Sequence, residues 1–242
     1  MKQSPLAGFD LTVYPRALLL LVSNPSIVLV PLLTTLLGVL MARVISPDQY
    51  GLSGVTNGLG GLIVQLIELF GVGVACIMAD DAWRHGRSSF EGGWTEGQRK
   101  GGELLVSAIG ITLILAVAQY AGLLLGTVLS LLLMAVASYF LIWTIPAAAV
   151  GGIPGGAAIQ VSIDRVRANP LPAALVTVVT VFVAFFAPVA ITSWLEVSLF
   201  SYLPRLPLVA SLIGALIQAI ALSYVALIIT KTYTDAAFTR RY

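Results

Sequence analysis

Long apolar runs, separated by short charged breaks, dominate this chain. No Asp, Glu, Lys or Arg occurs in residues 17–42, 49–67, 104–163, 168–195 or 206–230, and the second run resumes after Glu68 and continues to Ala79. A bilayer core of about 30 Å is crossed by roughly 20 apolar residues of helix. Barrel strands would alternate apolar and polar positions over about ten residues; these runs are continuous and longer, so helices are predicted. The run 104–163 has room for two spans with a tight turn near Gly122–Gly126. Six spans follow, at about 24–43, 55–79, 102–121, 126–149, 171–194 and 207–230. Pro188 is expected to kink the fifth.

Polar stretches introduce alternate spans. FDLTVYPRALLLLVSNP ends at Asn24-Pro25, AAIQVSIDRVRANP ends at Asn169-Pro170, and the glycine-rich SSFEGGWTEGQRKGG lies between them. Such segments suit helices lying in the membrane interface, basic residues at the headgroups and apolar ones toward the acyl chains. In the last, Ile159, Ile163 and Val166 recur at helical spacing, with Asp164, Arg165 and Arg167 off that face. Each Asn-Pro pair marks a break and the start of the next helix. The expected architecture is all-α: one polytopic transmembrane domain over 1–242, built from three units of an interfacial helix plus a transmembrane hairpin.

Composition supports this medium. Hydrophobic residues make up 58% and charged residues 10%, with mean hydropathy +0.98; a soluble domain carries roughly 25% charge. The net charge of +2 implies no nucleic-acid partner. Position matters more. With six spans, Lys2, Arg16, Arg84, Arg87, Arg99, Lys100, Arg165, Arg167, Lys231, Arg240 and Arg241 fall on one side, and only Arg43 and Arg205 on the other. Positive residues near span ends resist translocation, so both termini and the two long loops are expected in the cytoplasm. Trp83, Trp143 and Trp194, with Tyr50, Tyr120 and Tyr202, sit near predicted span ends, as an aromatic belt would. A cleavable signal peptide is not expected, since Asp10 lies in the early segment and Pro25 and Pro31 interrupt the apolar run.

Candidate chemistry is sparse. The lone cysteine, Cys76, lies in an apolar stretch and the lone histidine, His85, among arginines. No Ser/His/Asp set, metal cluster or phosphate-binding motif can be assembled, so neither catalysis nor a cofactor is expected. Gly151-Gly152 and Pro154-Gly155-Gly156 read as a span end and a flexible loop. The second span is richer. Gly54, Gly58, Gly61, Gln65, Glu68, Val72 and Ala75 keep a 4-3-4-3-4-3 spacing, which holds them on one helical stripe. Its glycines admit a neighbouring helix closely. An ionised group in hydrocarbon costs several kcal/mol, so Glu68 should face protein or water. It is either a proton or cation site with Gln65, or a neutral carboxyl bonded to Gln218 of the sixth span or Gln119 of the third. Asp80 and Asp81 beside Arg84 and Arg87 read as a neutralised helix end.

NPSIVLVPLL (24–33), EGQRKGGELL (96–105), AIQVSIDRVRANPLPAALV (158–176) and YVALIITKTYTDAAF (224–238) resemble the YciC-like and glycerophosphodiesterase membrane-domain type of bacterial six-span proteins. The resemblance implies an inner-membrane accessory or scaffolding role, with any catalysis on a separate soluble domain. Three readings follow. The first is a non-enzymatic accessory subunit or scaffold, packing in the bilayer against other membrane subunits or itself. The second is a transporter or channel using Glu68 and Gln65, and the third a lipid enzyme using Asp80, Asp81 and His85.

Overall fold

The computed structural model describes residues 10–45, 53–198 and 207–238. These residues form helices joined by short connections, with no strand among them. In order they are α1 (Val13–Ser23), α2 (Ser26–Ile45), α3 (Ser53–His85), α4 (Phe90–Arg99), α5 (Gly101–Leu125), α6 (Thr127–Leu141), α7 (Thr144–Ala149), α8 (Gly155–Ala168), α9 (Pro170–Val181), a π-helical turn (Phe182–Phe186), α10 (Ala187–Ser198) and α11 (Pro207–Phe238). Five stretches are long and apolar enough to cross a membrane: Gly60–His85, Gly101–Ala121, Thr127–Ala149, Pro170–Trp194 and Leu212–Ala236. A sixth is added if α1 and α2, bent by 85° at their junction, form one broken span. The architecture is that of a multi-pass helical membrane protein. Helix α3 runs through Asp80 and Asp81 to His85, and the break between α5 and α6 falls at Gly126, whose φ of 117° suits only glycine.

Prolines interrupt these helices, and neighbouring hydroxyls repair the damage. Proline lacks an N–H and crowds the carbonyl four residues earlier. Pro31 in α2 frees the carbonyl of Ile27; the Ser223 hydroxyl of α11 donates to the Ala219 carbonyl of its own helix at 2.7 Å and stands 3.4 Å from the Ile27 carbonyl. Pro146 in α7 opens the helix at Ile142–Trp143. There Ser162 of α8 donates to the Phe140 carbonyl at 2.8 Å and accepts from the Trp143 N–H at 3.1 Å. Pro188 lies just beyond the π-helical turn, where the Ala187 N–H reaches back to the Phe182 carbonyl, five residues away. The predicted kink is thus taken up as a π-bulge. In hydrocarbon, where no water competes, each such group needs a protein partner.

The short helices meet the long ones at corners. Asn24 and Asn169 adopt nearly the same backbone conformation (φ −129°, ψ 65° and φ −135°, ψ 63°). Each donates its side-chain amide to the carbonyl four residues earlier, at 3.0 and 3.2 Å. Asn24 also donates to the Gly86 carbonyl and accepts from the Ser88 N–H at 2.9 Å, joining the α1–α2 corner to the α3–α4 connection. Lys100, between α4 and α5, donates to the Ala149 carbonyl at 2.7 Å, and Arg165 of α8 donates to the Tyr233 carbonyl at 2.7 Å. Arg165 also lies 3.6 Å over the Tyr233 ring. These contacts draw the basic residues of α4, α8 and the ends of α3 and α11 to one end of the bundle. Glycines bring α4 against α3: a Cβ at Gly93 would strike Met78, and one at Gly97 would strike Val74.

The structure departs from three of the sequence expectations. Trp143 is fully buried, not a belt residue, and its ring N–H donates to Thr232 at 3.1 Å. The buried face of α8 runs through Gly155, Ala158, Ser162 and Val166, with Ile159 and Ile163 only flanking it, because small residues allow α8 to approach α5 and α6. Gly155 opens α8 rather than belonging to a loop. Trp83 is partly buried and donates to the Leu227 carbonyl at 3.0 Å, while Trp194 and Tyr120 are exposed. Tyr50, Tyr202 and Arg205 lie outside the described residues.

Two outcomes are expected. Ser162→Ala strands the Trp143 N–H and the Phe140 carbonyl; leaving a buried polar group unpaired costs about 1–3 kcal/mol. The thermal midpoint of the purified protein in detergent should fall, and an unchanged midpoint would refute the repair. The second concerns pH. Arg99 donates to Glu96 at 2.6 Å and Lys100 stands 3.3 Å away, holding the Glu96 carboxyl below its ordinary value. A carboxyl lowered in the fold stabilises it above the ordinary range, about 4.3, and that contribution is lost as pH falls through the lowered value. Hydrogen exchange of α4 amides, corrected for intrinsic rates, should accelerate at acid pH in the native protein and lose that dependence in Glu96→Gln.

Candidate functional site: a polarised cavity within the bundle

Helices α3 and α11 run side by side in the same direction. Cys76 lies 4.0 Å from the Ala226 carbonyl, and further along both helices Trp83 bonds to Leu227 and lies beneath Lys231. Glu68 and Gln218 each stand eight residues before the Cys76–Ala226 contact. At a rise of about 1.5 Å per residue, they occupy the same level.

At that level the helices part around a cavity of about 270 Å³. From α3 it is lined by Gln65, Glu68, Leu69 and Val72, and from α11 by Gln218, Leu222, Val225 and Ile229. Ile111 and Leu115 of α5, Ser138 and Leu141 of α6, Ile142 just beyond it and Ile145 of α7 also line it. Thr180, Ala184 and Phe185, at the end of α9 and in the π-helical turn, line it as well. The polar side chains of α3 and α11 lie at one end, and later turns of the same two helices are apolar. The cavity is therefore polarised along the bundle axis, and among the described residues no basic side chain lines it.

The structure thus brings Gln65, Glu68 and Gln218 to one space. It does not join them: among the described residues none of the three bonds to another, and Gln119 is exposed on α5, away from the cavity. Val72 and Ala75, further along the same stripe, are buried. Gly61 is exposed, and a Cβ there would meet nothing. The surroundings of Gly54 and Gly58 lie outside what is described. Asp80 pairs with Arg84 at 2.9 Å, so it belongs to a neutralised helix end. Cys76 is fully buried beside α11. No group of three or more His, Cys, Asp or Glu that could hold a metal occurs among the described residues.

Sequence reasoning missed Ser138 and Thr180. A lone hydroxyl residue in an apolar run usually bonds its own helix, as Thr177 does to the Ala173 carbonyl at 2.8 Å. The Thr180 hydroxyl instead is buried without a partner at the cavity wall, as the hydroxyls of Thr35, Thr112, Thr144 and Thr230 are elsewhere. The only sequence signal was its proximity to Pro188. No protein-family model, curated protein or solved structure matches this chain.

Proposed function

We propose that this chain is a non-enzymatic integral membrane protein that binds a solute inside its helix bundle and moves it across the bilayer. One observation carries the reading: polar side chains from separate spans, Gln65 and Glu68 on α3 and Gln218 on α11, line a single cavity that is otherwise almost wholly apolar. Ligand sites are commonly apolar clefts with a few convergent polar groups. Transporters place such sites among interrupted helices near the bilayer midplane, and the π-helical turn beside Pro188 is an interruption of that kind, directly on the cavity wall. Glu68 is the acid that would take a proton or cation. The basic end of the bundle faces the cytoplasm in this reading, by the preference of Lys and Arg for that side.

A second reading, an accessory subunit or scaffold packed against other membrane proteins or a second copy, draws on the outward-facing Gly61. The sequence alone ranks that reading first. The gathering of Gln65, Glu68 and Gln218 supports the solute reading instead.

The test is flux. Purified protein in proteoliposomes, given an inside-negative potassium diffusion potential, should admit protons or sodium faster than empty liposomes. Glu68→Gln should lower the rate at least tenfold, and Gln119→Leu should leave it unchanged. Absence of flux, or flux indifferent to Glu68→Gln, with a stoichiometric partner that is lost in Gly61→Leu, would favour the scaffold.

A further inference from the structure

We infer that the cavity takes a single-chain amphiphile with a cationic amine head, drawn sideways from the bilayer. This rests on the reading of the cavity as a solute site. Head chemistry follows from the polar end. Glu68 is an acid, Gln65 and Gln218 offer amide oxygens, and among the described residues no lysine or arginine lines the space. An ammonium group gains an opposite charge and hydrogen-bond acceptors there; a carboxylate or phosphate head meets a like charge and no cation.

The tail follows from the other end. Val72, Val225 and Ile229 continue the same two helices away from the polar residues and are buried, so an alkyl chain would lie along them. The volume of about 270 Å³ sits near the lower edge of ligand pockets, roughly 300–1,000 Å³. It suits one short chain and excludes a two-chain phospholipid.

The route follows from Phe185, which lines the cavity yet is 65% exposed on the outer face of a membrane-spanning stretch. It stands in the π-helical turn, flanked on the same exposed surface by Phe182 and Phe186. The cavity therefore adjoins lipid at this point, and a membrane-dissolved ligand reaches it without crossing water.

Tritiated decylamine binding to the full chain in phosphatidylcholine nanodiscs tests this, with empty nanodiscs subtracted. The expected result is saturable binding of one amine per chain, at least tenfold tighter than decanol in competition, with no competition from decanoate or ethylamine. Glu68→Gln should reduce the amine to the level of decanol. Filling the space from two different elements, by Ala184→Leu or Val225→Phe, should weaken binding at least tenfold in either variant. Competition by decanoate equal to that by decanol, an amine preference that survives Glu68→Gln, or no saturable site would overturn the inference. If decylamine binds as expected while ion flux ignores Glu68→Gln, the ligand class stands and transport falls. If Glu68-dependent flux persists without saturable amine binding, the ligand class falls and transport stands.

Discussion

Hydrocarbon leaves a backbone N–H or C=O no partner except the protein itself, and this constraint shapes the bundle more than any single contact. It explains why the described chain is helical. It also explains where helices touch. At the opening between α6 and α7, beside Pro146, Ser162 of α8 bonds to the Phe140 carbonyl and the Trp143 N–H, and near Pro31 of α2 the Ser223 hydroxyl of α11 stands 3.4 Å from the Ile27 carbonyl. Each such contact brings two helices together, so a local defect becomes a tertiary contact. Where no hydroxyl answers a proline directly, at Pro188, the helix widens into a π-turn instead, and that widening forms part of the cavity wall.

The same constraint makes the cavity informative. An acid and two amides among apolar spans are costly to hold unless they face one another or a polar guest. Gln65, Glu68 and Gln218 face a common space rather than bonding pairwise. Side chains poised this way are suited to groups that arrive and leave. Fully paired, they would be better suited to holding helices together.

Much of this was legible in the sequence, for identifiable reasons. Apolar runs mark spans because the cost of charge in lipid acts residue by residue, so the stretches bounded by Arg16, Glu103 and Lys231 could be read locally. The Asn24-Pro25 and Asn169-Pro170 corners could be read because proline ends a helix by covalent geometry. The stripe carrying Gln65 and Glu68 was visible because helical period is local as well. The sequence offered both Gln218 and Gln119 as partners for Glu68 and could not choose between them: the choice depends on α3 and α11 running in parallel, set by contacts such as Cys76 with Ala226, 150 residues apart. Trp143 was misplaced for a related reason. Its position near a span end resembles a belt residue, but Thr232 from α11 and Ser162 from α8 enclose it. Glycine signals were split. The stripe glycine Gly61 opens outward, while Gly93 and Gly97, in the most polar segment, make the close approach to α3.

The central claim is that α3 and α11 present Gln65 and Gln218 to one shared space, with Gln119 elsewhere. Cysteine pairs in a Cys76→Ser background measure this directly, using a short bifunctional thiol reagent on the protein in bilayers. The account predicts intramolecular bridging of positions 65 and 218 and none of positions 65 and 119. Bridging of 65 to 119 without bridging of 65 to 218 would contradict it.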